Sequence, residues 1–146
     1  MSHINDLNPK KLVPWSTEQL EAATHGQWLH LAQPREFARI ITDTRQIQPN
    51  DIFLALVGER FDGHDFVAQA ITLGASAVIV SHALEVTIPQ LVVADTRLAL
   101  GHLGAYRRQN HPQLTVIALT GSSGKTTVKE MLGSILSQLA PTLVTR

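Results

Sequence analysis

Apolar residues fall along this chain in short unbroken runs, separated by segments with a helical period. The runs at Phe37–Thr42, Asp51–Val57, Ala77–Val80 and Leu91–Ala94 have strand length, and a brief strand is expected around Trp28–Leu31. DIFLALV at Asp51–Val57 is apolar enough to be buried on both faces. Helix signals lie between the runs. Ser16 with Gln19 at the capping-box spacing, and Gly26 as a stop, predict a short helix over Thr17–His25. Phe66, Val67, Ala70 and Ile71 share a helical face that ends at Gly74. Asp95 and Thr96 offer N-caps to a helix reaching about Arg108. Pro49-Asn50 reads as a turn, and Asn110-His111-Pro112 as a break. Strands alternating with helices predict an α/β fold with a mostly parallel or mixed sheet.

A new unit starts after the break. Leu114–Leu119 (LTVIAL) reads as a strand, and Thr120-Gly121-Ser122-Ser123-Gly124-Lys125-Thr126-Thr127 follows directly. Beyond it Val128, Met131, Leu132, Ile135, Leu136 and Leu139 form one helical stripe. Strand, glycine-rich loop and helix in that order make a phosphate-binding loop. Glycines let backbone N–H groups crowd an anion, and the helix N-terminus adds about half a positive charge. Lys125 can reach the outer phosphates of ATP, and the Thr126 hydroxyl can ligate Mg²⁺. The spacing departs from G-x-x-x-x-G-K-[ST], because Leu119 stands where the first glycine belongs and Gly121 sits closer in. It is a tighter variant. The plain alternative is a Gly/Ser-rich turn with an incidental lysine.

Composition narrows the class. Twelve basic residues balance twelve acidic ones, so bulk charge recruits neither nucleic acid nor an anionic membrane. The absence of cysteine excludes disulfides, thiolate metal sites and a thiol nucleophile. The start, MSHINDLNPKKLVPW, lacks the apolar run of a secretory signal, and no stretch has membrane-helix length, so a cytoplasmic location is expected. In FDGHDF at Phe61–Phe66, Asp62 is the natural cap of the helix that follows, which makes Asp62, His64 and Asp65 structural before catalytic. The remaining histidines (His3, His25, His30, His82, His102, His111) show no helical ligand spacing, so zinc is not expected.

Those motifs carry a resemblance. TGSSGKTT after an apolar strand resembles the ATP loop of the Mur ligases and of folylpolyglutamate synthetase. Asp43-Thr44-Arg45, Pro49, Asp51, Phe53-Leu54-Ala55-Leu56, Gly58 and Phe61–Phe66 resemble the N-terminal domain of the same ligases. The resemblance implies a domain at 1–112 that holds the UDP end of a sugar nucleotide, and at 113–146 the start of a central ATP domain of phosphate-loop NTPase type. It implies Thr42, Thr44, Glu59, Arg60 and Phe61 on the uridine side, and Gly121, Ser122, Ser123, Gly124, Lys125, Thr126 and Thr127 on the ATP side, with Mg²⁺ at Thr126. Read as residues, Glu59 and Arg60 could equally be solvated loop charges, and Asp43 with Arg45 could only tie a turn.

The Ser-Ser within the loop and Thr127-Val128-Lys129-Glu130 are most similar to the branch that joins D-alanyl-D-alanine to UDP-N-acetylmuramoyl-tripeptide. That resemblance implies ATP-driven amide ligation in cell-wall synthesis, in which a phosphorylated carboxylate is attacked by an amine. The sibling branch that adds diaminopimelate or lysine is the alternative, and a non-catalytic nucleotide-binding module is another. One strand, one helix and the stub Thr142–Val144 cannot complete a phosphate-loop domain. A fragment, inactive alone, is therefore expected, with no catalytic residue assigned. Its exposed helical stripe is expected to meet another copy of the chain, fold back, or stay disordered.

Overall fold

The computed structural model describes residues 13–145; the first twelve residues of the expected N-terminal domain, His3 among them, lie outside the described residues. The chain divides into two units at Pro112–Gln113.

In the first unit, strand β1 (Trp15–Ser16) leads into helix α1 (Thr17–Thr24). The capping box forms: the Gln19 N–H donates to Ser16 Oγ at 3.2 Å, and the Ser16 N–H donates to Gln19 Oε1 at 3.1 Å. The residue that ends α1 in left-handed backbone is His25, at φ 55°, rather than Gly26. Strands β2 (Gln27–Leu29), β3 (Glu36–Phe37), β4 (Ile40–Ile41) and β5 (Ile52–Leu54) follow. A 3₁₀ turn at Gly63–Phe66 opens helix α2 (Val67–Thr72). Strands β6 (Ala77–Val80) and β7 (Gln90–Val92) precede helix α3 (Thr96–Gln109). Asp95 caps α3, accepting from the N–H groups of Arg97 and Leu98.

The main sheet has the order β2-β7-β6-β5-β4. β4, β5, β6 and β7 run parallel and β2 pairs antiparallel on β7, so the sheet is mixed. The run Phe37–Thr42 is not one strand. Its first part pairs with β1 in a separate two-stranded ribbon, whereas Ile40 and Ile41 join the main sheet. The different partners break the run.

Strand side chains alternate between two cores. Ile52, Leu54, Ala77, Ile79 and Leu91 pack with Leu20 of α1 and with Ala99 and Leu103 of α3. Phe53, Ala55, Val78 and Val80 pack with Val67 and Ala70 of α2. The result is a three-layer α/β sandwich. At the amino ends of the strands, Arg39 grips the buried Asp51 through Nε at 3.0 Å and Nη2 at 2.5 Å, and the Gln48 N–H donates to the same carboxylate at 2.8 Å.

The second unit contributes helix α4 (Lys125–Leu136) among its described residues. Leu114–Leu119 forms no strand, and neither does Thr142–Val144, which corrects both expectations. A strand needs a neighbour to take its N–H and C=O groups, and this unit offers none among its described residues. Of the stripe, Val128, Met131 and Ile135 are exposed on a well-formed helix, and Leu139 is exposed in the turn beyond its end. Val144 packs against the buried Gly133.

Candidate functional sites

Parallel β4, β5 and β6 all end at one edge of the sheet, and the loops leaving them converge there. The chain leaves β5 through Leu56 into a tight loop. Val57 bridges to Asp62, the Gly58 N–H donates to Phe61 O at 2.9 Å, and the Gly63 N–H donates to Leu56 O at 2.7 Å. Two glycines are required by close approach. A Cβ at Gly63 would sit 2.6 Å from the backbone of Leu56, and one at Gly58 would sit 2.5 Å from the Phe61 ring. The Phe61 ring thus lies against Gly58, and the residue is 55% exposed, free to stack on a planar ligand.

Glu59, Arg60 and Phe61 line an open groove of about 640 Å³ together with Leu56, and α3 supplies Arg97 and Leu100 from across it. Among the described residues neither Arg60 nor Arg97 has an ion pair. Two guanidinium groups, an exposed aromatic ring and leucine walls suit an anion joined to a flat ring. The sequence reading missed Arg97 and Leu100. They follow a different strand, and only the topology brings α3 beside the β5 loop.

Thr42 and Thr44 follow β4 at the same edge but do not line this groove. Their hydroxyls make no hydrogen bond to another described residue. Between them Asp43 caps a 3₁₀ turn and pairs with Arg45, Nη2 to Oδ2 at 2.6 Å. The Arg45 side chain, and then its backbone N–H, hold the Asp43 carboxylate below the usual aspartate range. That pair ties a turn.

The FDGHDF segment is built as structure. Asp62 caps the 3₁₀ turn by accepting from the His64 N–H at 2.9 Å. It also accepts from His64 Nδ1 at 2.5 Å. The backbone bond first, and the ring second, hold the Asp62 carboxylate below its usual range. No group of three or more possible metal ligands exists among the described residues.

In the second unit, Gly124 begins α4 in left-handed backbone at φ 75° with no side-chain cap. The first intrahelical acceptor is Gly124 O, which takes the Val128 N–H at 3.0 Å. The N–H groups of Lys125, Thr126 and Thr127 at the helix start are therefore left for an anion. Lys125 has no ion pair among the described residues, and the Thr126 hydroxyl has no described partner. An open N-terminus, a free lysine and a free hydroxyl fit a nucleotide phosphate and its Mg²⁺.

Comparison with known proteins adds ancestry to this geometry. The family model described as "Mur ligase family, catalytic domain" matches residues 36–118, more than half of the chain. The UDP-N-acetylmuramoyl-tripeptide–D-alanyl-D-alanine ligase of Escherichia coli K12 is 57% identical over 106 residues, 73% of this chain and 23% of that protein. A crystal structure of MurF from Acinetobacter baumannii superposes with a TM-score of 0.84 at 61% identity, covering 92% of this chain and 30% of its own. The MurF ligase of Thermotoga maritima in complex with ADP matches with a TM-score of 0.54 at 34% identity, over 68% of this chain and 23% of its own. The chain thus spans between a fifth and a third of the length of these relatives.

No helix among the described residues is long and apolar enough to cross a membrane.

Proposed function

The chain belongs to the Mur ligase family, and from that premise we propose that it is the sugar-nucleotide end of an ATP-dependent ligase. The whole protein joins D-alanyl-D-alanine to UDP-N-acetylmuramoyl-tripeptide. Residues 1–112 hold the UDP end of the tripeptide substrate, and residues 113–146 begin the ATP-binding domain. The division of the chain at Pro112–Gln113 supports the boundary between them. The similarity to D-alanyl-D-alanine ligases supports this branch over the diaminopimelate- or lysine-adding sibling.

The single observation that carries the uridine side is the groove that brings Glu59, Arg60, Phe61 and Arg97 together. Phe61 stacks on the uracil, backbone groups of the 58–61 loop meet its polar edge, and the two arginines take the diphosphate. Thr42 and Thr44 extend the site along the same sheet edge. On the ATP side, Gly121–Thr127 presents backbone N–H groups and Lys125 to the outer phosphates. Their work is electrostatic: they neutralise charge on the phosphoryl group as it moves. The Thr126 hydroxyl would hold Mg²⁺, which when bound would supply further neutralisation of that charge.

The exposed stripe of α4 carries a second proposal, self-association of this chain. Sedimentation at rising concentration is expected to show dimers in the wild type and monomers for Ile135→Lys. A wild type that stays monomeric overturns it.

The test of function uses the whole-length protein. Phosphate release from ATP is expected only when UDP-N-acetylmuramoyl-tripeptide and D-alanyl-D-alanine are both present. Release that does not depend on D-alanyl-D-alanine contradicts the assignment.

A further inference from the structure

Asp62, His64, Ser81 and His82 cluster at the end of β6, beside the groove but outside its lining. The His64 side chain is 5% exposed, although its residue lies in a surface turn. Its two ring nitrogens face opposite ways. The Ser81 backbone N–H donates to Nε2 at 2.9 Å, and Asp62 Oδ1 sits 2.5 Å from Nδ1. A nitrogen that accepts from a backbone amide cannot carry its own proton. The geometry therefore matches the Nδ1–H tautomer of His64, which donates to Asp62.

The placement of that bond gives it a role. The Glu59–Phe61 loop is closed on itself through the Gly58, Gly63 and Val57–Asp62 contacts, all of which return to the β5 exit. None of them ties the loop to the next strand. Ser81 follows Val80, the last residue of β6, where an amide of the strand would next look for an acceptor on β5. The imidazole takes that position instead. We infer that His64 is a positioning residue: its neutral Nδ1–H form latches the Glu59–Phe61 loop to the end of β6, in the orientation that receives uridine.

The latch rests on the uridine reading of the groove, and it adds a condition to it. A proton on Nε2 places a ring N–H against the N–H of Ser81, so that backbone bond is lost and Ser81 Oγ, 3.2 Å from Nε2, is the acceptor left to the ring. The titratable groups around the ring are Asp62 on one side, the His82 ring stacked at 4.5 Å, and Asp65 in the same turn.

Three measurements on the 146-residue chain test this. Imidazole ¹⁵N NMR is expected to show the Nδ1–H tautomer for His64. Calorimetry with UDP-N-acetylglucosamine, whose diphosphate does not titrate near neutrality, is expected to show affinity falling as that NMR signal reports protonation. His64→Phe keeps the ring volume, and it is expected to speed amide exchange at Ser81 and weaken binding roughly tenfold. His64→Gln offers an amide oxygen to Ser81 and recovers much of that loss, and Ser81→Ala, which keeps the backbone N–H, stays near wild type. An Nε2–H tautomer, affinity indifferent to His64 protonation, or a folded His64→Phe binding like wild type overturns the proposal. A wild type that binds no UDP-sugar overturns the uridine reading and the positioning role with it. Tautomer and exchange then decide separately whether the latch exists.

Discussion

Phe61 depends on what Gly58 lacks. With the ring lying where a Cβ would stand, Gly58→Ala must push the aromatic platform out of the groove. Because Phe61 is more than half exposed, that shift costs little stability. Calorimetry is expected to show UDP-sugar affinity reduced roughly tenfold while the melting temperature holds within a few degrees. Asp51 behaves in the opposite way. It is fully buried against Arg39, so Asp51→Ala leaves a guanidinium facing a void. A loss of about 3 kcal/mol is expected in urea unfolding, with no selective effect on the groove at the far edge. Titration follows from Asp43 and Asp62, both held below the usual aspartate range by hydrogen bonds. Depressed carboxylates bind fewer protons folded than unfolded. Their contribution is present above about pH 4 and is lost as the pH falls through the lower folded values. Asn replacements at both positions are expected to flatten the acid limb of the stability curve.

At the scale of elements, local chemistry was easily read and partnership was not. Ser16 and Gln19 declare the start of α1, Asp95 declares that of α3, and each cap forms as its residue type requires. Ser16→Ala is expected to cost about 1 kcal/mol, measured by thermal unfolding. The apolar run Phe37–Thr42 could not reveal its division, because what splits it is a choice of neighbours: β1 for Phe37 and β5 for Ile41. Leu114–Leu119 has the composition of a strand, yet no ladder exists for it to join among the described residues. The groove was half legible for the same reason. Glu59, Arg60 and Phe61 lie in one loop that a motif could mark. Arg97 and Leu100 reach it only because α3 leaves β7 at the same edge as the β5 loop.

The whole molecule presents two candidate anion sites of different character. One is a walled groove on a sandwich with two filled cores, complete in its own packing. The other is the bare start of α4, carried on a unit whose apolar face is open. The relatives it matches are several times longer than this chain. On the proposed function, the first unit is expected to bind a UDP-sugar alone, with ATP binding at the start of α4 weak by itself. The direct test is amide NMR of the 146-residue chain titrated with UDP-N-acetylglucosamine and, separately, with Mg-ATP. A uridine-binding groove predicts saturable shifts at Glu59, Arg60, Phe61 and Arg97 with the UDP-sugar, and at most weak shifts are expected around Gly121–Thr127 with Mg-ATP. A chain whose 58–61 loop is untouched by the UDP-sugar would contradict it.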